Sequence, residues 1–446
     1  MKKPSKKSYS GIDSSLRKKI DSTKPSPGDI IELTVNRKKQ QGIFLESYDR
    51  GILLLKLENG YNIGIKKEDL SEIKVLEKRK EKKSDSEIKI TGRKPIIDFY
   101  LTGGTISSKL DPATGGVKWL INSKELFSIY PEIFELVDIR VKIPFTKASE
   151  NMDFNDWKKL AKLVGKSLND NHVKGIIISH GTDFLHYTAS ALSFMLGKLN
   201  KPVVLTYSQR SSDRGSSDSR LNLICSARAA LSDIAEVMIV GHANLDDEYC
   251  YALQGNKCRK MHSSRRDTFR PINCNPIARI YPDKIEIIRQ DYRKRNKEKI
   301  KPDTLFDNKV ALIKFYPGQD PSILEYYRKK GYKAIIIEMS GLGHVISEGK
   351  NNWIPKIKDI INKGIYVYAA PQTIYGRLDP YVYSPGRKLQ EIGVVFLNDI
   401  LPETAFVKLG WVLGHKSWRG TVATKIKMLE NINGEFNERL DNSFLV

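Results

Sequence analysis

Two short segments place hydroxyl side chains next to glycines at points where apolar runs end. They are TGGT at 102–105 and HGTD at 180–183, and each follows an extended apolar stretch. A threonine hydroxyl attacks a carbonyl carbon only when a base or a positive field activates it. HGTD sets the Thr182 hydroxyl beside the Asp183 carboxylate, and Lys260 is a candidate cation for a Thr–Lys–Asp relay. These residue types favour nucleophilic chemistry at a hydroxyl group.

Simpler interpretations of the same residues stay open at this level. The double glycine could cradle a phosphate, make an ordinary strand-to-helix turn, or expose a hydroxyl nucleophile; neither G-x-x-x-x-G-K-[ST] nor G-x-G-x-x-G is present. HGTD could be an Asp/Thr helix N-cap, with His180 as a packed turn histidine. A lone lysine in a basic loop, such as Lys260, is usually solvated. The four cysteines lack C-x-x-C spacing and the histidines form no H-x-x-x-H pair, so no metal site is expected.

Composition and charge limit the class of protein. The chain has 446 residues, 40% of them hydrophobic, which provides for a sizeable core. It contains no apolar run of the ~18–20 residues that a membrane span needs, and its N-terminus lacks the apolar stretch of a secretory signal. The net charge is +23, of which residues 1–26, 77–95 and 284–301 carry +6, +4 and +5. We expect a soluble cytoplasmic protein whose basic segments are either a solvated surface or a contact for RNA phosphates.

The pattern along the chain predicts several domains. We expect a basic flexible tail at 1–26, a small closed β-barrel at 27–78, with a strand at 42–47 and a turn at 59–60, and a charged linker at 79–94. From residue 95, strands alternate with helices, for example at 154–168 and 188–199, which is typical of an α/β domain with a largely parallel sheet. The predicted α/β domains are 95–290, with the main catalytic residues, and 308–446, joined by a linker at 291–307.

Taken together, these motifs resemble the asparaginase/glutaminase family of threonine amidohydrolases, which implies two doubly wound α/β domains. The resemblance rests on TGGTI and HGTD in this order, SENM at 149–152 and LPETAFVKLGWVLG at 401–414. It looks nearest to one branch, the glutaminase subunits of archaeal glutamyl-tRNA(Gln) amidotransferases, because of the added N-terminal barrel and the RKMHSSRRDTFRPIN loop. Free-standing asparaginases usually begin at the TGGTI strand.

The resemblance implies a role for each matching residue. Thr105 is the nucleophile, exposed by the double glycine, and Thr182, Asp183 and Lys260 complete the catalytic set. The substrate-binding residues it implies are Ser149, Glu150, Gly104 and Gly181. Asp183 would also receive the α-ammonium of the substrate, and backbone N–H groups at the HGTD turn would stabilise the oxyanion.

The sequence departs from the family pattern at several positions. The loop after TGGTI, SSKLDPATGGVKW, has no tyrosine where many asparaginases place one, and no glutamate of the second domain clearly matches the one that completes the relay in some members. Phe184 and Leu185 stand where Thr and Met are common, and APQT at 370–373 replaces SQC while keeping its glutamine. The base that activates Thr105 therefore stays unassigned.

Partners and cofactors follow from the same resemblance. It implies that this chain hydrolyses L-glutamine and passes ammonia to the E-type subunit of the amidotransferase, which converts glutamyl-tRNA(Gln) to glutaminyl-tRNA(Gln). No cofactor is expected in this chain, whereas ATP and Mg²⁺ are expected in the E-type subunit. A homodimer within a two-plus-two heterotetramer is expected, without a membrane. The alternatives are a free-standing L-asparaginase and a non-catalytic RNA- or partner-binding scaffold, which would be expected to have lost the catalytic set.

Overall fold

The structure is a computed structural model, and it describes the greater part of the chain. The residues described are 25–45, 47, 49, 51–58, 61–78, 92–110, 117–119, 126–127, 130–212 and 216–439. Most of the predicted basic tail, most of the charged linker and the turn at 59–60 therefore lie outside the described residues. The chain divides into two compact units. The smaller unit contains the N-terminal sheet and the segment 108–120, and the larger unit contains both α/β domains.

The N-terminal sheet is antiparallel and has five strands in the order β4-β3-β2-β1-β5. Its strands are β1 (Ile30–Val35), β2 (Lys38–Leu45), β3 (Ile52–Lys56), β4 (Asn62–Lys66) and β5 (Leu70–Glu77). Alternate residues face one core, which buries Ile31, Leu33, Leu53, Leu55 and Ile65.

The β domain predicted at 27–78 is present as an antiparallel five-stranded sheet around its own core. Among the described residues, no ladder joins the edge strands β4 and β5, so backbone pairing does not show the predicted closure. The 3₁₀ turn Lys67–Asp69 separates these two strands, and β5 pairs with β1. In the segment 108–120, β7 (Ser108–Leu110) pairs with β8 (Val117–Trp119) as a short antiparallel ribbon.

The first α/β domain is built on an eight-stranded sheet in the order β17-β16-β13-β12-β11-β10-β6-β9. Its strands and those of a separate two-stranded ribbon are β6 (Ile96–Leu101), β9 (Asp138–Lys142), β10 (Val173–Ser179), β11 (Val203–Thr206), β12 (Val237–His242), β13 (Cys250–Gln254), β14 (Cys258–Lys260), β15 (Phe269–Pro271), β16 (Ala278–Ile280) and β17 (Ile285–Ile287). Its helices are α1 (Ile133–Leu136), α2 (Phe154–Leu168), α3 (Leu185–Leu196) and α4 (Ser219–Leu231).

Five neighbouring strands of this sheet, β9, β6, β10, β11 and β12, run parallel. This arrangement places the two glycine motifs side by side. β6 and β10 are hydrogen-bonded neighbours, with Leu101 opposite Ser179. TGGT and HGTD begin directly after these two residues. Because parallel strands end at one edge of the sheet, both motifs lie at the carboxyl edge, where doubly wound sheets bind ligands.

The second α/β domain has a parallel sheet of four strands, in the order β18-β19-β20-β21. Its elements are β18 (Val310–Lys314), α5 (Ser322–Lys329), β19 (Ala334–Met339), α6 (Ile354–Asn362), β20 (Tyr366–Pro371), α7 (Ser384–Glu391), β21 (Val395–Phe396), α8 (Pro402–Gly414) and α9 (Thr421–Leu429). α8 is almost entirely buried and packs against α3 of the first domain, so that the two domains share one apolar core. The fold class predicted from the sequence, two asparaginase-like α/β domains after a small β domain, is confirmed.

The segment 291–307, predicted as a linker, has neither helix nor strand but is fixed by hydrogen bonds. The Arg293 carbonyl accepts from the Ala235 N–H at 2.8 Å, and the Asp303 N–H donates to the Met195 carbonyl at 2.7 Å. The Arg295 guanidinium donates to backbone carbonyls. Part of the basic charge of this segment therefore serves internal contacts.

No helix among the described residues combines the length and the apolar character needed to cross a bilayer.

Candidate active site

The TGGT turn is fixed to the neighbouring strand before it reaches Thr105. The backbone N–H and the hydroxyl of Thr102 both donate to the Ser179 carbonyl, at 3.3 and 2.6 Å. Gly103 and Gly104 then adopt φ values of +121° and +88°, which L side chains rarely adopt. The chain continues directly into a 3₁₀ turn that begins at Thr105. The turn leaves the Thr105 side chain partly exposed.

Gly104 also lets the two motif backbones touch. A Cβ atom at this position would lie 2.6 Å from the Gly181 nitrogen and from the carbonyl carbon and oxygen of His180. No rotamer change relieves that overlap, because all three atoms belong to the backbone. The structure thus brings Gly104, Thr105 and Gly181 together at one point of the sheet edge.

We expect Gly104→Ala to lower the free energy of unfolding by about 2–5 kcal/mol, because it combines a positive φ with a backbone overlap. Gly364→Ala is a matched control, since Gly364 has φ +86° and, in the part of the chain that the structure describes, no heavy atom lies within 4 Å of its added Cβ. The control should lose only about 1–2 kcal/mol, the cost of the left-handed conformation. Urea denaturation of the two variants measures both changes. Equal losses would show that the close approach of the two turns does not exist.

The HGTD motif meets Lys260 directly. Lys260 Nζ donates to Thr182 Oγ1 at 2.8 Å and to Asp183 Oδ1 at 2.7 Å. Thr182 is buried, whereas the Asp183 side chain is 62% exposed and Lys260 only 11%. One ammonium group therefore holds a buried hydroxyl and an accessible carboxylate at the same time.

The helix-cap interpretation of HGTD is wrong. α3 begins at Leu185, its N-cap residue is Phe184, and no side chain caps it. The Thr182 and Asp183 side chains accept from Lys260 instead. The partner of both side chains is therefore Lys260, 77 residues after Asp183, and not a backbone N–H group of the helix.

His180 is a packed structural residue. It is fully buried, and burial lowers its pKa to about 4. Trp157 Nε1 donates to Thr188 Oγ1 at 3.0 Å, and this hydroxyl lies 2.8 Å from His180 Nε2. His180 Nδ1 is 2.7 Å from the Gly181 carbonyl, which can only accept, so Nδ1 carries the proton. A neutral imidazole with both nitrogens engaged holds the turn and is not available as a base.

The SENM motif lies behind the HGTD turn. Ser149 is buried in the 3₁₀ turn Ser149–Asn151, and a Cβ at Gly181 would lie 3.0 Å from its hydroxyl oxygen. Glu150 is exposed. A cavity of about 150 Å³ adjoins both residues and is also lined by Phe184 and Tyr187. All eight residues assigned by the resemblance therefore belong to the first α/β domain, around the ends of β6 and β10 and the β14 ribbon.

The residues that depart from the family pattern have ordinary packing or hydrogen-bonding positions. Leu185 joins the apolar core, and Phe184 is partly exposed, with its ring 5.5 Å from that of Tyr187. Gln372, the residue kept in APQT, has its Nε2 directed at the Phe315 and Glu338 carbonyls. This glutamine fastens strand ends within the second domain.

A second polar cluster adjoins Lys260 and was not predicted from the sequence. It consists of Arg259, His186 and Glu403, which the fold brings together from β14, α3 and α8. No signal in the sequence pointed to it, since a glutamate in the first turn of a helix is common for reasons of the helix dipole.

Comparison with known proteins agrees with this geometry. Residues 97–293 match the family model "Asparaginase, N-terminal", and residues 309–424 match "Glutaminase/Asparaginase C-terminal domain". Residues 26–76 match "GatD N-terminal domain". The D-type subunit of the glutamyl-tRNA(Gln) amidotransferase of Thermococcus kodakarensis is 47% identical over 419 residues, which are 92% of this chain and 94% of that protein. The chain belongs to the family of D-type glutamyl-tRNA(Gln) amidotransferase subunits.

Other comparisons place these D-type subunits within the wider asparaginase fold. The D-type subunit of Methanothermobacter thermautotrophicus is 40% identical over 95% of this chain and 97% of that protein. The thermostable L-asparaginase from Thermococcus kodakarensis superimposes with a TM-score of 0.68 and 26% identity, over 77% of this chain and 100% of the asparaginase. The resemblance inferred from the motifs is confirmed, and the chain is an amidohydrolase of the asparaginase/glutaminase type.

Proposed function

We propose that this chain is the glutamine-hydrolysing subunit of a glutamyl-tRNA(Gln) amidotransferase. The observation that carries the proposal is the Lys260 ammonium, which bridges Thr182 and Asp183 beside the turn that presents Thr105. It occurs in a chain that matches the D-type subunits over almost its whole length, including the N-terminal domain. The ammonia released serves the conversion of glutamyl-tRNA(Gln) to glutaminyl-tRNA(Gln) in the cytoplasm.

The reaction uses a hydroxyl nucleophile and needs no cofactor in this chain. Thr105 Oγ1 attacks the side-chain amide carbon of glutamine, the hydroxyl proton is transferred to the amide nitrogen, the C–N bond breaks, and ammonia leaves. Water then hydrolyses the ester, giving glutamate and free Thr105. Lys260 holds the Thr182 hydroxyl in a fixed orientation and supplies a positive field next to the reacting carbonyl.

Substrate binding uses the groups that surround the two turns. Ser149 and Glu150 lie beside the HGTD turn and are assigned the α-carboxylate and the α-amino group of glutamine. Asp183 has a largely exposed carboxylate and is assigned the α-ammonium as well. Gly104 and Gly181 carry no side chain, so the substrate can approach the backbone closely at both positions.

The assembly completes the function. The E-type subunit is the partner that activates glutamyl-tRNA(Gln) with ATP and Mg²⁺ and accepts the ammonia. The proposed assembly contains two copies of this chain and two of the E-type subunit. A free-standing L-asparaginase is the second candidate, and the structural similarity to the Thermococcus kodakarensis asparaginase favours it. The domain at residues 26–76, which matches the GatD N-terminal model, favours the amidotransferase.

Ammonia release by the purified chain separates the two candidates. Without the E-type subunit, we expect slow or absent release from L-glutamine and L-asparagine. Release from L-glutamine should rise by about tenfold or more when the E-type subunit and glutamyl-tRNA(Gln) are added, the usual range for coupling between sites. The matched control is the E-type subunit alone with the same tRNA. Rapid turnover of L-asparagine by the isolated chain would contradict the proposal and favour the asparaginase.

A further inference from the structure

Glu403, a buried carboxylate of the second domain, lies next to two residues that adjoin the catalytic set in sequence. Glu403, in the first turn of α8, is 2% exposed. Its Oε1 lies 3.0 Å from Arg259 Nε and 3.5 Å from His186 Nε2. Arg259 directly precedes Lys260, and His186 follows Asp183 by three residues. Glu403 Oε1 thus lies close to Arg259, the residue before Lys260, and to His186, which is three residues after Asp183.

The segment just before β14, the strand that contains Lys260, is bonded to residues at the start of α8. β14 has three residues, and among the described residues it pairs with β15 and not with a strand of the main sheet. The residues before it are bonded to the second domain. The Asn256 carbonyl accepts from the Thr404 hydroxyl at 2.9 Å, and Lys257 Nζ lies 3.1 Å from Asp399 Oδ2. Residues 399–404 therefore contact the segment that leads into the β14–β15 ribbon.

The helix that follows HGTD rests on the same residues. Ser190 Oγ of α3 lies 3.0 Å from Thr404 Oγ1, and α3 packs along α8. The start of α8 is accordingly in contact with the ribbon that carries Lys260 and with the helix that follows Thr182. The separation of these two elements sets the 2.8 Å distance between Lys260 Nζ and Thr182 Oγ1.

The Glu403 contact is costly in stability terms, which argues against a role in packing alone. Within the described part of the chain, neither Glu403 Oε1 nor His186 Nδ1 has an aligned hydrogen-bond partner. The Arg259 guanidinium is close to Glu403 Oε1 without being in line for a hydrogen bond. Burial raises the pKa of Glu403, and burial with the Arg259 and Lys260 charges lowers the pKa of His186 to about 3. A buried carboxylate with too few hydrogen-bond partners costs stability, so its presence calls for an explanation beyond packing.

We infer that Glu403 is a positioning residue, which holds Arg259 and thereby keeps Lys260 in contact with Thr182 and Asp183. The inference rests on the proposed function in so far as it takes Lys260 to work with Thr182 in amide hydrolysis. It assigns the second α/β domain a direct part in the site, although all residues of the catalytic set belong to the first domain.

The test uses Glu403→Gln in the complete assembly with the wild-type E-type subunit and glutamyl-tRNA(Gln). Glutamine keeps the shape of the side chain and removes its charge. We expect kcat for ammonia release to fall about 10- to 100-fold, with KM for glutamine within about threefold of the wild-type value. Arg259→Met should cause the same loss. Because both act through one contact, the double variant should lose no more than either single variant.

A matched control is Glu236→Gln, since Glu236 is a partly buried glutamate that is likewise paired with an arginine, Arg293, at 3.2 Å. It should leave kcat unchanged. Folded Glu403→Gln with wild-type kcat, or losses that multiply in the double variant, would overturn the inference. If Glu403→Gln does not fold, Arg259→Met is the remaining test. A kcat of Arg259→Met within about threefold of the wild-type value would then overturn the inference.

If the wild-type assembly released no ammonia, the proposed function would be refuted. The positioning role of Glu403 could then still be tested with a crystal structure of Arg259→Met. The expected result is a distance between Lys260 Nζ and Thr182 Oγ1 beyond hydrogen-bonding range, above about 3.5 Å. An unchanged distance would contradict the positioning role.

Discussion

Thr105→Ala should abolish ammonia release from glutamine, with kcat/KM at least about 10³-fold below the wild-type value. The change removes the hydroxyl that the TGGT turn presents and leaves the turn itself, because Gly103 and Gly104 supply its backbone conformation. The Thr105 side chain is partly exposed, so truncation opens no large cavity and the melting temperature should stay within a few degrees of wild type. The measurement is ammonia release in the assembly with the E-type subunit and glutamyl-tRNA(Gln).

Two further variants show whether the loss reflects the chemistry. Thr105→Ser keeps a hydroxyl and should retain measurable activity. Thr424→Ala is the control, since Thr424 is a buried threonine in α9 whose hydroxyl donates to the Trp418 carbonyl at 2.8 Å, within the second domain. It should cost about 1 kcal/mol of stability and leave kcat intact. More than a few per cent of wild-type activity in Thr105→Ala would move the nucleophile to Thr182.

Lys260→Met should lower kcat about 10²- to 10³-fold, the range for removing one preorganised donor that stabilises developing charge. The variant leaves the Thr182 hydroxyl without the donor that orients it and leaves Asp183 without its cation. Stability should change by only about 0–1 kcal/mol, because Asp183 is largely exposed to water. Steady-state kinetics and thermal unfolding measure the two effects separately.

Lys260→Arg separates the charge of the lysine from the position of its donor. Arginine keeps the charge, but its planar guanidinium does not place one nitrogen between Thr182 Oγ1 and Asp183 Oδ1 as the compact ammonium does, so we expect kcat between those of Lys260→Met and the wild type. Lys333→Met is the control, since Lys333 of the second domain forms an ion pair with Asp307 of the preceding segment at 2.5 Å. Activity above about a tenth of wild type in Lys260→Met would reduce this lysine to a structural role.

Local signals in the sequence were sufficient for much of the fold. The helix at 154–168 was predicted with its observed bounds, and in the structure Asp153 and Asp156 form a capping box at its start. The helix predicted at 188–199 lies at Leu185–Leu196, since Gly197 with φ +64° ends it three residues earlier. The strand predicted at 42–47 is β2, Lys38–Leu45. Asn36 and Arg37 form a tight turn with positive φ, and an arginine at such a position gives no turn signal.

The candidate site could be predicted only in part. Thr105, Thr182 and Asp183 belong to contiguous motifs at strand ends, so their types and order sufficed to propose them. Lys260 is not adjacent to them in sequence, and without the family resemblance it was one basic residue in a basic loop. Glu403 could not be predicted at all, because its burial and its contact with Arg259 depend on how α8 packs against β14 and α3.

The contact of Gly104 with the His180–Gly181 peptide has an evolutionary consequence. The position of the nucleophile is set by one backbone resting on another, with no side chain between them. Neighbouring side chains such as Phe184 and Leu185 take no part in this backbone contact, so they can vary while it is kept. The two glycines have no such freedom, since a mutation at Gly104 needs a simultaneous retreat of the opposite turn. Lineages of this protein should therefore diversify around the site and stay fixed at the point where its two turns meet.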